Sequence, residues 1–132
     1  MHNVNLVYSI VCDDVRVEMG NKLSLMGVFE NIFFTAFPSV LIKFAVVNHW
    51  HGMGEYETQV RLLYPDRREF VVSQSSKFLI ESLGYADNVT FFTNVAFDRA
   101  GTYTLQTFID GKSVGERPLY VHLVQQAPST VN

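Results

Sequence analysis

His49 and His51 stand two residues apart in an alternating stretch, so their imidazoles project from one face of a strand. Imidazole nitrogens suit zinc and nickel. Alternate strand positions lie about 7 Å apart, within reach of one ion if a neighbouring strand adds a ligand. Glu57, across Gly52-Met53-Gly54, is a candidate for that place. The same pair also reads as two outward histidines near a hairpin end. His122 falls on the outward face of the last strand and His2 is terminal. No complete ligand set emerges, so neither a metal nor any other cofactor is assigned.

Asp13-Asp14, with Glu18 and Glu30, offers carboxylates for a divalent ion or for acid–base work. Adjacent aspartates in a strand point to opposite faces, and the Asp-x-Asp-x-Asp-Gly spacing of a calcium loop is missing. The expectation is strand termination and a solvated loop. Ser24, Ser73, Ser75, Ser76 and Ser113 all fall outside a Gly-x-Ser-x-Gly elbow. Gly52-x-Gly54 lacks the third glycine and the helix of a phosphate loop. Cys12 falls on the inward face of the first strand, which reads as a buried thiol rather than a nucleophile. No catalytic residue is assigned, and the chain is expected not to be an enzyme.

Aromatic residues remain. Trp50, Tyr56, Tyr85 and Phe92 form a candidate sugar-stacking or protein-docking surface. Ile32, Phe33, Phe34 and Phe37 make a dense apolar patch before Pro38. Phe33 alternates with Ile32 and Phe34, and Phe91 with Phe92, so these rings cannot all face one core. Either both faces are covered or the second face is a contact surface. The contact surface is the favoured reading, and a second copy of the chain is its simplest occupant.

The elements that must carry these residues are strands. The chain of 132 residues is 48% hydrophobic and 17% charged, which suits one folded domain and rules out a disordered one. Eleven Phe and six Tyr against one Trp favour a pleated surface. Tyr56, Thr58, Val60, Leu62 and Tyr64 alternate with Glu57, Gln59 and Arg61, the pattern of a half-buried strand. Val40, Ile42, Phe44, Val46 and Trp50 do the same, as do Val4, Leu6, Tyr8, Ile10 and Cys12. Later strands are read at Val89, Phe91, Val95 and Phe97, at Tyr103–Ile109 and at Leu119–Leu123. Turns are expected at Gly20-Asn21, at Gly52-Met53-Gly54 as a hairpin, across Ser82–Asn88 and at Asp110-Gly111. The period of two and the turn spacing predict an all-β chain of about 7–9 strands.

Net charge is −3, which does not fit a general nucleic-acid surface. Arg67-Arg68 sits beside Asp66 and Glu69 and reads as a solvated turn. The single cysteine excludes an intrachain disulfide. No basic leader opens the sequence, and no apolar run reaches the ~20 residues of a membrane helix. The expected compartment is the cytoplasm, with no membrane partner.

Asp98-Arg99-Ala100-Gly101-Thr102-Tyr103 narrows the fold. Asp-x-x-Gly-x-Tyr before the penultimate strand matches a tyrosine corner, in which the hydroxyl bonds back to the chain upstream. Asp98 would cap the turn, Gly101 would permit a tight approach, and Leu105 stands where antibody domains carry a cysteine. Pro118 implies that the last strand starts late or lies at an edge. These features predict a single antiparallel β-sandwich, immunoglobulin-like and without a disulfide. Residues 1–126 form that domain and 127–132 a flexible C-terminal tail.

Val11-Cys12-Asp13-Asp14-Val15-Arg16, then Gly20-Asn21-Lys22-Leu23-Ser24-Leu25-Met26-Gly27-Val28-Phe29, resembles a family of small bacterial proteins of unknown function. The late Gly-x-Tyr and the Asp-Gly hairpin extend the resemblance over most of the chain. It implies a compact bacterial β-sandwich and brings no activity with it. The leading functional expectation is a non-catalytic interaction or assembly module, partnered by itself or by another protein. A sandwich binding a small molecule or carbohydrate at Trp50, His49 and His51 is the alternative, and a metal-dependent enzyme the third.

Overall fold

A computed structural model describes residues 3–81 and 84–125. His2, the 127–132 tail and part of the expected Ser82–Asn88 loop lie outside the described residues. Ten strands follow one another: β1 (Val4–Glu18), β2 (Lys22–Val28), β3 (Asn31–Phe34), β4 (Ser39–Gly52), β5 (Gly54–Leu63), β6 (Glu69–Val72), β7 (Ser76–Ile80), β8 (Tyr85–Phe97), β9 (Gly101–Ile109) and β10 (Lys112–Leu123). The chain is therefore all-β, with more strands than expected and no helix among the described residues.

The strands form two sheets. One has the order β2-β1-β4-β8. The other has the order β3-β10-β9-β5-β6, with β7 also paired to β5. The second sheet is not wholly antiparallel: β3 runs parallel to β10, with Ile32 opposite Val121. Pro118 sits in β10 before β3 joins at Tyr120, so its missing N–H faces no strand on that side.

Several turns behave as their residues dictate. Asp110 and Gly111 both take positive φ, 46° and 82°, and close a two-residue hairpin between Ile109 and Lys112. Gly20 and Asn21 turn β1 into β2 in the same left-handed region. Gly52-Met53-Gly54 is not a hairpin. β4 pairs with β1 and β8, whereas β5 belongs to the other sheet, so these residues carry the chain from one sheet to the other. Asp13-Asp14 does not end its strand either, because β1 continues to pair with β2 as far as Glu18. The chain from Leu23 to Phe34 divides into β2 and β3, and strand pairing resumes at Tyr85, inside the expected Ser82–Asn88 loop.

The main core lies between the sheets. Val11, Phe44, Val46, Phe92, Val95 and Phe97 from the first sheet meet Ile32, Val60, Leu62, Tyr103, Leu105, Leu119 and Val121 from the second. A smaller cluster at the other end gathers Trp50, Tyr56, Ile80 and Ile109. Between the two runs a buried polar rung of Ser9, Asn48, Thr58 and Thr107, one residue from each of β1, β4, β5 and β9. Asn48 Nδ2 donates to Thr107 Oγ1 at 3.4 Å, and Thr58 Oγ1 donates to the Phe108 carbonyl at 2.8 Å.

Alternation changes phase once in β8. Val95 and Phe97 share the core with Phe92, and Asn94 between them takes φ 54°. Val89 and Phe91 consequently lie on the other side of the sheet from Val95 and Phe97. In β4, Val40 and Ile42 are exposed while Phe44 is buried.

Candidate functional site

The outer face of the four-stranded sheet, away from the core, carries its own side-chain organisation. Strand register sets Tyr8 and Asp87 on either side of His49, and Tyr85 beside His51. His49 Nδ1–H donates to Asp87 Oδ1 at 2.6 Å. A carboxylate only accepts, so this bond fixes the proton on Nδ1 and leaves the His49 Nε2 lone pair free. His51 Nε2 lies 3.2 Å from His49 Nε2, within hydrogen-bonding distance. The Tyr8 ring stacks on His49 with centroids 4.9 Å apart and planes within 9°. Tyr85 leans over His49 at 5.6 Å. Burial, and then the charge of Asp87, pushes the Tyr8 hydroxyl above its ordinary range.

Beside these rings the same face is apolar. Cys12, Ala45 and Val47 are fully buried there under Val15, Leu23, Leu25 and Val89. All seven belong to this one sheet. Cys12 is therefore buried as expected, but on the outer face rather than between the sheets. Burial, and then Asp13, raises its thiol pKa, and Sγ donates to the Asp14 carbonyl. This thiol is not poised as a nucleophile. At the rim Phe91 is 49% exposed, with Lys43 Nζ 5.1 Å from its ring centre.

The aromatic surface expected from sequence does not assemble. Trp50 is completely buried, and its indole N–H donates to Asn88 Oδ1. Tyr56 is buried and its hydroxyl donates to the Met53 carbonyl. Phe92 stacks on Phe44 in the core, and Phe34 packs inward against Phe37 and Phe97. Of the rings expected at that surface, Tyr85 and Phe33 are exposed, but in different sheets, and Phe33 stacks on His122. The pleat turns Trp50 and Phe92 of the first sheet, and Phe34 and Tyr56 of the second, into the space between the sheets.

Glu57 does not complete a ligand set. It lies in the other sheet, where its backbone N–H donates to Asp110 Oδ1. The carboxylates of Asp14, Glu18 and Glu30 pair separately with Lys43, Ser24 and Arg117. Lys43 holds the Asp14 carboxyl below its ordinary range. Among the described residues no three His, Cys, Asp or Glu side chains gather as a metal-holding group. Arg67 and Arg68 are paired with Glu116 and Asp66. An open cleft of about 490 Å³ runs past Ile10, Phe29, Asn31 and Arg117. The guanidinium there is already bound to the Ser9 carbonyl and Glu30.

At the opposite corner Tyr103 is fully buried and its hydroxyl donates to the Arg99 carbonyl at 2.8 Å. Tyr64, Phe70 and Phe97 surround its ring. Gly101 takes φ 144°, and a Cβ there would lie 2.6 Å from Pro65 Cγ. The Asp98 carboxylate grips the Arg99 guanidinium at 2.9 and 3.0 Å, holding the adjacent side chain where a backbone cap was expected.

Asp87 and Tyr8 are the site residues that sequence reasoning missed. Asp87 lies in what reads as a loop, and only strand register places it against His49. The alternation of Tyr8 with Leu6 and Ile10 gives its strand but not its neighbour.

The model of a family of unknown function, DUF6941, matches residues 7–122, and the chain belongs to that family. No curated protein matches it. Among solved structures it is similar to the alkylpurine DNA glycosylase AlkC of Pseudomonas fluorescens, bound to DNA containing an abasic site analog. The TM-score is 0.51 at 7% identity, over 90% of this chain. The chain spans 30% of that protein's length. At that identity the likeness concerns the fold alone.

Proposed function

We propose that this member of DUF6941 is a non-catalytic assembly module of the bacterial cytoplasm, built on an immunoglobulin-like sandwich. For the sandwich, the supporting features are the strand order and the corner. β1-β4-β8 occupies the place of an A-B-E sheet, and β10-β9-β5-β6 that of G-F-C-C′. Tyr103 stands near the start of β9, the F position, with its hydroxyl on the chain upstream. For the cytoplasm, the support is one buried cysteine and no disulfide.

The observation that carries the assembly reading is the apolar outer face of the four-stranded sheet, which the second sheet does not cover. Phe91 and Tyr85 extend it, 49% and 47% exposed, along β8. Among the described residues β8 pairs only with β4, so its other edge is open from Tyr85 to the kink at Asn94. An open edge beside an apolar face suits antiparallel pairing with a second copy about a two-fold axis. The net charge of −3 gives no reason to extend the DNA binding of the glycosylase to this chain.

Sedimentation equilibrium of the full chain tests this reading. A dimer is expected, and Phe91→Glu should return it to monomer with an unchanged circular dichroism spectrum. A monomer of the unaltered chain at high concentration overturns it.

A further inference from the structure

We propose that His49 and His51 form a two-imidazole chelate for a divalent cation of the zinc, nickel and copper class. The proposal does not depend on what docks against the sheet. It rests first on distance. The two Nε2 atoms are 3.2 Å apart. With metal–nitrogen bonds of about 2.1 Å, that separation subtends about 100° at a shared ion, between octahedral and tetrahedral angles. The present spacing of the nitrogens is nearly the span of a chelate bite.

The second ground is how His49 is prepared. Asp87 holds the Nδ1 proton, so the ligand lone pair is already on Nε2. A carboxylate behind a metal-binding histidine orients the ring and raises its basicity. Stacking on Tyr8 and contact with Tyr85 fix the ring plane. With its own proton on Nδ1, His51 presents a second Nε2 lone pair, and two neutral rings bind the ion without net proton release. His51 is exposed, so the remaining coordination positions open to water. Two protein ligands with open positions make an exchangeable site rather than a closed structural one.

Calorimetric titration of the tag-free full chain with zinc and with nickel is the test. One ion per chain is expected. His51→Ala should abolish binding, and Asp87→Asn should weaken it 10–100-fold, with spectra showing both variants folded. His122→Ala serves as the control and should bind as the parent does. Bound copper should show two nitrogen ligands by electron paramagnetic resonance. Absence of one-to-one binding, or equal binding by His51→Ala, overturns the chelate.

Discussion

Phe91 and Phe92 are chain neighbours on β8, yet Phe92 is 4% exposed and Phe91 49%. They stand for the two faces of the four-stranded sheet. The inner face owes its order to the opposing sheet, which supplies Leu62, Leu105 and Leu119 against Phe44 and Phe92. Among the described residues no layer opposes the outer face. Small residues, Cys12, Ala45 and Val47, lie at its centre and larger neighbours fold over them. At its end, polar rings organise one another through hydrogen bonds and stacking. Both faces carry apolar residues, but among the described residues only the inner one has a second surface to exclude water. The lesson is that an aromatic residue in a strand takes its meaning from what lies across from it.

Substitutions that cross this boundary should separate the faces cleanly. The largest effect is expected inside: Trp50→Ala or Phe92→Ala should cost about 3–5 kcal/mol in urea unfolding. Phe91→Ala should cost less than about 1 kcal/mol, because half of its surface is already in water. Equal losses at Phe91 and Phe92 would erase the distinction between the faces.

Next comes the Tyr103 corner. Tyr103→Phe should cost about 1–2 kcal/mol by removing the hydroxyl that satisfies the Arg99 carbonyl. Burial, and then the charge of Asp98, pushes the Tyr103 hydroxyl from its ordinary 10.0 up to about 12. Ionisation is thus harder in the folded chain than in the unfolded one. The resulting stability is whole below pH 10 and drains away as pH rises towards about 12. Melting curves across that range should fall more steeply for the parent than for Tyr103→Phe. Parallel curves would mean that the hydroxyl is not shielded by the fold.

The smallest effect is expected at the outer rings. His51→Ala should change stability by less than about 0.5 kcal/mol, since the ring is exposed. A larger loss in thermal unfolding would show that the outer face supports the fold as well as lying on it.

Much of the architecture is legible in the sequence, because a period of two is a local property. The Tyr56–Tyr64 alternation, the Asp110-Gly111 turn and the Gly101–Tyr103 corner all follow from chain neighbours. Sheet membership does not. Gly52-Met53-Gly54 has the composition of a hairpin, and only the pairing of β4 and β5 with different partners shows a crossing. The site suffered for the same reason. His49 and His51 share a face by spacing alone, but Asp87 reaches them from 38 positions away through strand register. Trp50 and Tyr56 were misplaced because a large ring reads alike at a surface and in a core.

The polar rung across the core has a bearing on how the chain finds its alignment. Sliding one strand by two residues keeps every inward side chain inward, so the apolar pattern alone does not penalise it. Such a slide would move the Asn48 amide away from Thr107 and into the hydrocarbon on either side. The rung thus works as a registration mark between the sheets, telling β4 how far along β9 it must sit.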